Sequence, residues 1–464
     1  MLRNRMIRLI TIGCVAICLA AQDAPTDPTP EETLEPQQPN IVIFLADDLG
    51  WRDVGYHGSE IKTPNLDSLA MAGVRLEQFY VQSICTPTRA ALMTGRYPFR
   101  YGLRTITPWI QYGLPTEERT LADALKESGY RTAIVGKWHL GHNDPKYLPT
   151  QRGFDHQYGC YCGAIDYHTH KRGKGLDWHR DDKALNEKGY ATLLIADEAS
   201  RLIEEHDTSS PLFLYVAFTA PHMPLQAPEK YIEQYMTIRG KTRRTYAAMV
   251  ACLDDSVGQI MDSLESRGMR ENTLVVFSSD NGGAKNCGSN NTPFRGYKKS
   301  DHEGALRVPA FFNWPGHLEP AVVKEPLHII DLFPTLVTVA GGSLEQPLEL
   351  DGVDIWKTLT EGEPSPHEEI VLYMSQGRAA IRRGDWKLII EDNNLQLYNL
   401  AEDPREFFDQ SAKRVPKLQE LLKRIAFYKK LSVPTLGAGA QARPKGFPAP
   451  EVWGEQATEL EEEH

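Results

Sequence analysis

The 464-residue chain has no Cys-x-x-Cys pair and no histidine-rich zinc spacing. That argues against a thiolate zinc site and against a dithiol redox centre. Seven cysteines stand at positions 14, 18, 85, 160, 162, 252 and 287. Setting aside the first two, which fall in an N-terminal leader, an odd number remains, so at least one is unpaired or serves another purpose. Cys160 and Cys162 are candidates to pair with Cys252 or Cys287 in an oxidising compartment. Positive charge is also scarce: 51 Lys and Arg face 62 Asp and Glu, a formal net charge of -11. Such a balance excludes nucleic-acid binding through a broad basic face, and an anionic substrate must be met by a few local cations. There are no internal repeats. The apolar run Leu9–Ala21 is too short to span a bilayer comfortably. Preceded by Arg3, Arg5 and Arg8 and ending in small residues, it reads as a signal peptide over 1–21. The mature chain is therefore expected to be periplasmic or secreted, with no integral membrane segment and a net charge of -14, since the leader takes away three arginines and no acids.

Residues 22–39 are rich in Pro, Thr and acids and read as a flexible linker. Order begins at Asn40–Ala46, a continuous apolar run of the kind that fills a doubly covered parallel strand. Pro211–Phe218, Thr273–Ser278 and the shorter Arg131–Val135 are similar. Between them lie helical patterns at 121–128, 190–205 and 246–266, the first stopped by Gly129. This alternation implies an α/β sandwich on a large, mainly parallel sheet, with sites where strand carboxyl ends meet their loops. Past about residue 365 the pattern changes to short strands at 370–374, 378–382, 386–391 and 396–400, an antiparallel meander, followed by an amphipathic helix at 416–429. The expected division is a catalytic domain over 40–365, a smaller α+β subdomain over 366–432 and a tail over 433–464.

Two of the buried strands end in acids. Asn40–Ala46 runs into Asp47 and Asp48, and Thr273–Ser278 leads to Asp280 and Asn281. Three carboxylates and an amide carbonyl converging on one crevice repel one another unless a cation sits among them. An all-oxygen set selects Ca²⁺ or Mg²⁺ over zinc; helix or turn capping is the alternative reading of each acid. The most specific stretch is Cys85-Thr-Pro-Thr-Arg89-Ala-Ala-Leu-Met-Thr-Gly95. Pro87 suits a helix first turn and Gly95 can end the helix, which places Cys85 at the positive end with Arg89 one turn on, set to meet an anion.

This stretch resembles the signature of the type I, formylglycine-dependent sulfatases, in which the cysteine is oxidised to Cα-formylglycine (3-oxoalanine). The rest of that family's pattern follows in order. Gly136-Lys137-Trp138-His139-Leu140-Gly141, Pro221-His222-Met223-Pro224, and Lys298 five residues before Glu303-Gly304 all match its segments. The resemblance covers residues 40 to about 430 and implies an alkaline-phosphatase-like fold. It implies Asp47, Asp48, Asp280 and Asn281, with the modified residue 85, as ligands of Ca²⁺ in preference to Mg²⁺. It also implies Cys85, Arg89, Lys137, His139, His222 and Lys298 as the catalytic set. In that scheme the hydrated aldehyde attacks sulfur, His222 or Lys298 is the general acid, and His139 deprotonates the second hydroxyl to expel sulfate. A formylglycine-generating or anaerobic sulfatase-maturating enzyme is the implied partner during biosynthesis.

Leu148–Phe154, Asp166–His170 and Pro211–Pro228 look most like the arylsulfatase B, or N-acetylgalactosamine 4-sulfatase, group. That likeness implies a sulfated carbohydrate substrate and a place in glycosaminoglycan degradation. Asp166, His168 and His170 are the candidate sugar contacts, with ordinary loop hydrogen bonding as the alternative. Two rival functions remain: a phosphonate monoester or phosphodiester hydrolase of the same fold, and a non-catalytic glycan-binding protein with an unmodified Cys85.

Overall fold

The computed structural model describes residues 38–437 and 444–454. The expected signal peptide, nearly all of the linker and part of the tail lie outside the described residues. A ten-stranded sheet forms the centre. In chain order its strands are β1 (Asn40–Ala46), β2 (Val74–Leu76), β3 (Arg131–Lys137), β4 (His156–Cys160), β5 (His179–Arg180), β6 (Lys183–Ala184), β7 (Leu212–Ala217), β8 (Thr273–Ser279), β9 (Ala310–Asn313) and β10 (Ala321–Val323). Their spatial order is β10-β2-β9-β8-β1-β7-β3-β4-β5-β6. The middle five, β8-β1-β7-β3-β4, are parallel, and antiparallel pairs extend the sheet on both sides.

Every residue of β1, β7 and β8 is buried, as a sheet covered on both faces requires. Alternation along β1 sends Ile41, Ile43 and Leu45 into one apolar layer and Val42, Phe44 and Ala46 into the other. Helices Cys85–Thr94, Leu121–Glu127 and Leu332–Val339 pack in the first layer; Ala191–Glu204 and Lys241–Ser266 pack in the second. The last of these starts five residues before the expected Tyr246, because Lys241–Arg244 form a polar first turn that carries no apolar period. Strand register sets the site: Ala46 pairs with Ser279 and Ala217 with Gly136, so Asp47, Asp280, Lys137 and Phe218 leave the sheet at one edge.

Beyond the central sheet, β11 (Glu369–Ser375), β12 (Arg378–Arg383), β13 (Trp386–Glu391) and β14 (Asn394–Asn399) form the expected meander. One face packs on Leu421 and Ile425 of helix Val415–Leu431, the other on Tyr80, Ala305 and Leu306. All five described cysteines are free thiols, so neither Cys160 nor Cys162 is joined to Cys252 or Cys287. Among the described residues no helix is long and apolar enough to cross a membrane.

A buried ion cluster pins the meander to the larger layer. Lys387 Nζ donates to Glu303 Oε1 and lies 2.8 Å from both Glu303 and Glu406, and all three side chains are sealed from solvent. Burial pushes the Glu406 carboxyl up to about 7, against the pull of Lys387. A carboxyl raised in the folded state contributes stability that is present below its unfolded pKa and lost as pH climbs through the folded value. The expected result is that Glu406→Gln gains stability relative to the wild type between about pH 4.5 and pH 7, read from urea unfolding midpoints across that window. A difference that does not change with pH would remove Glu406 as the responsible group.

Candidate active site

Cys85 is the first residue of helix Cys85–Thr94, which follows an extended Ile84 and ends at Gly95 in the left-handed conformation. Its sulfur and one carboxylate oxygen each of Asp47 and Asp280 lie within 4.8 Å of one another. Oxygens of Asp47 and Asp48 and a ring nitrogen of His222 form a second group of that size. The four acid and amide side chains from β1 and β8 thus meet at the N-terminus of the cysteine helix.

Three cations answer the three carboxylates. Lys137 Nζ donates to Asp47 Oδ2 at 2.5 Å and Lys298 Nζ to Asp48 Oδ1 at 2.5 Å. Arg89 donates from Nε and Nη2 to Asp280 Oδ2, at 3.0 and 2.9 Å, and from Nη1 to the Lys137 carbonyl. The guanidinium is fully buried, with its donors turned onto the protein. The sequence suggests an arginine facing the anion; the structure makes it the brace beneath Asp280. Burial acts to raise the Asp47 and Asp48 carboxyls, but Lys137 and Lys298 bring both below the usual range; burial and the Asp47 charge leave Asp280 raised.

Even so, the site is incompletely satisfied. Asp47 Oδ1 and Asn281 Oδ1 are buried with no hydrogen-bond partner among the described residues, while Asn281 Nδ2 is occupied by Asp48 Oδ1 at 2.7 Å. Orphaned buried oxygens are costly, and two of them here belong to the set that would hold a hard cation. The donor set fits Ca²⁺ or Mg²⁺.

Two side chains of the site stand on strained backbone. Asp48 and His139 have φ of 67° and 63°, in the left-handed region that residues other than glycine seldom adopt. His139 Nε2 faces the Ile106 carbonyl at 2.8 Å, so that nitrogen carries the proton and Nδ1 is left to accept. Burial and the nearby Lys137 charge keep this ring neutral. Thr86 Oγ1 sits 3.4 Å from the ring and accepts from Ile106 N. A Cβ on Gly163 would lie 2.5 Å from the imidazole, so only glycine lets the ring seat there. His222 Nδ1 donates to the Met223 carbonyl at 2.7 Å, and Nε2 points toward Asp48 at 3.7 Å.

The Asp166–His170 loop behaves differently from the expectation. His170 is buried and stacked on Trp178, so it is not presented to a sugar. Asp166 closes its own loop, accepting from His168 N, Thr169 N, Thr169 Oγ1 and Gln226 Nε2. Against its partial burial, these bonds, that from Gln226 first, lower its pKa to about 2. Of the three, only His168 is exposed. The loop's contribution is Tyr167, whose buried hydroxyl reaches the carbonyls of Thr219 and His222 at 2.6 and 2.9 Å. Tyr167, Thr86 and Gly163 escaped the sequence reading. Tyr167 and Thr86 lie inside the quoted segments, but nothing in their spacing marks them as supports.

A family model described as Sulfatase matches residues 39–342. The chain is 37% identical over 473 residues to arylsulfatase J of Mus musculus, covering 89% of this chain and 79% of that one. It is 36% identical over 359 residues to N-acetylgalactosamine-6-sulfatase of Homo sapiens, covering 70% and 67%. The crystal structure of Ps i-CgsB in complex with k-i-k-neocarrahexaose superposes with a TM-score of 0.82 at 34% identity, covering 86% of this chain and 94% of that chain.

The orphaned oxygens lead to a stability test. Calcium at a hundredfold over its Kd is expected to stabilise the fold by about 2.7 kcal/mol, and chelator to reverse it. In Asp47→Asn with Asn281→Leu the response is expected to vanish. A melting temperature indifferent to Ca²⁺, Mg²⁺ and chelator would count against a cation site. For Gly163→Ala, a displaced His139 is expected to lower kcat roughly 10- to 100-fold with KM little changed. Unchanged kcat would show that the imidazole position is not critical.

Proposed function

We propose that this chain, which belongs to the sulfatase family, hydrolyses sulfate esters of carbohydrates as an exported enzyme, with residue 85 in its oxidised form as nucleophile. The observation that carries this reading is charge arithmetic at the centre. Three carboxylates and three cations cancel among the side chains, so a divalent ion held by Asp47, Asp48, Asp280 and Asn281 would leave the pocket about two charges positive. A pocket so charged at a helix N-terminus suits an anionic ester and its more highly charged transition state.

A bound cation would supply Lewis acidity to a non-bridging oxygen and lower the pKa of a coordinated hydroxyl. A maturation enzyme would oxidise Cys85 to the aldehyde, which adds water to give a hydrate with two hydroxyls, one to attack and one to allow release. The chain's own residues do the rest. Lys137 and Lys298 hold positive charge beside the reacting group. Arg89 fixes the carboxylate of Asp280 and the carbonyl of Lys137. His139 Nδ1, with Thr86 Oγ1 at 3.4 Å, takes a proton from the second hydroxyl of residue 85; His222 or Lys298 gives one to the leaving alkoxide. The proposed division is a catalytic domain over 40–365 and a subdomain over 366–432.

On substrate, the arylsulfatase B-like segments favour N-acetylgalactosamine 4-sulfate, and the relatives named N-acetylgalactosamine-6-sulfatase make the 6-sulfate the comparison that decides. Activity on the 6-sulfate alone would overturn the 4-sulfate reading and leave the chemistry intact. Protein from a host with a maturation enzyme is expected to yield a residue-85 peptide about 18 Da lighter than the cysteine form. Cys85→Ser is expected to lose at least about 10³-fold in kcat, since no second hydroxyl remains to release the product. An unshifted peptide in active enzyme would refute the nucleophile assignment. A phosphodiester preference of about a hundredfold or more over a sulfate ester would refute the sulfatase reading.

A further inference from the structure

The segment 103–109 touches the candidate centre at its middle and lines a separate cleft at each of its ends. In the middle, Ile106 touches the site directly: its carbonyl accepts from His139 and its N–H donates to Thr86. Before it, Leu103 and Arg104 line a cavity of about 480 Å³ whose other walls include Pro87, Phe99, Tyr373, Gln376 and Lys429. After it, Pro108 and Trp109 line a cavity of about 570 Å³ with Arg172, Lys174, Phe447 and Trp453.

Both clefts are tied to the catalytic loops. The Pro108 carbonyl accepts from His142 and Asn143, a few residues past His139. In the first cleft, Gln376 and Gly377 form the turn between β11 and β12, and Arg378 after it holds the carbonyl of Lys299, the neighbour of Lys298. A ligand that fills either cleft therefore leans on chain that positions His139 or Lys298.

Their chemistry is alike and unlike that of the chain as a whole. Although acids outnumber Lys and Arg by 62 to 51, no acid among the described residues lines either cleft. Each instead carries two cations, Arg104 with Lys429 and Arg172 with Lys174, beside aromatic rings. Phe447 stacks with Trp453 and meets Trp109 edge-on. Flat apolar rings next to cations complement sugar rings that carry anionic groups.

We propose that segment 103–109 is the floor of a groove for a sulfated polysaccharide, with one sugar subsite in each cleft, so that sulfate is removed from within a chain. This rests on the sulfate-ester reading above, and the test separates the two. Rates would be compared on hexasaccharides of chondroitin 4-sulfate and of carrageenan, on N-acetylgalactosamine 4-sulfate, and on 4-methylumbelliferyl sulfate. At least one hexasaccharide is expected to exceed the monosaccharide about tenfold or more in kcat/KM, with internal sulfates lost before terminal ones. In Arg104→Ala with Lys174→Ala, the ratio of hexasaccharide to aryl-ester kcat/KM is expected to fall about tenfold, through KM. Equal rates on monosaccharide and hexasaccharides, loss of terminal sulfate only, or proportional losses on hexasaccharide and aryl ester would overturn the groove. Absence of turnover on every ester, the aryl ester included, would instead sink the sulfatase reading. Calorimetric titration of the hexasaccharides then decides the groove alone: binding that the double variant loses supports it, and no binding to the wild type overturns it.

Discussion

Three carboxylates cannot share a buried crevice unless opposite charge is brought to them, and much of this fold is arranged around that constraint. Asp47, Asp48 and Asp280 stand where water is scarce, and each has a cation at hydrogen-bond distance. Removing any one partner leaves a buried charge unpaired, a loss of about 3–5 kcal/mol. The cations come from three separate parts of the chain: the cysteine helix, the end of β3, and the loop before Glu303. The cluster therefore fixes the relative position of three elements whose sequence separation is large.

That arrangement needs unusual backbone to aim it. Asp48 and His139 occupy the left-handed region, Gly163 leaves room for the imidazole, and a Cβ on Gly282 would meet the Gly304 carbonyl at 2.0 Å. The last contact presses the Asp280–Gly283 turn against the segment that carries Lys298. Farther out, Glu303 is gripped by Lys387 of β13, and Tyr80 donates to its second oxygen. The C-terminal meander thus bears on the site through this buried ion cluster, since Glu303 ends the stretch that starts at Lys298, and through Arg378, which holds the Lys299 carbonyl.

The fold was legible where burial is uniform. Fully buried parallel strands must be apolar throughout, so β1, β7 and β8 announce themselves, and acids directly after them mark the sheet edge. The cysteine helix was equally readable, because Pro87 and Gly95 have positional meanings set by backbone chemistry. Side-chain direction was not. Arg89 sits on the expected helix, yet its guanidinium turns inward to Asp280, a choice made by a carboxylate 191 residues away. His170 failed as a rim residue for a similar reason: polarity suggests exposure, but Trp178 and the loop closed by Asp166 bury it. Cys160 and Cys162, plausible as half-cystines by count, lie as free thiols in the interior, beyond what spacing can reveal.

The same limit explains why another lysine could not do what a divalent ion would do here. Lys137 and Lys298 already spend their charge on Asp47 and Asp48, and Arg89 spends its charge on Asp280. A further ammonium would neutralise nothing left over and could not serve the two orphaned oxygens of Asp47 and Asn281 together, because its three donors are short and divergent. A divalent ion takes six or more oxygens at once and brings the net positive charge that the side chains alone do not provide. The pairing of acids with lysines and arginine therefore leaves two oxygens unserved; it holds the carboxylates in place, at zero net charge, and a divalent ion bound there would turn a balanced cluster into an anion site.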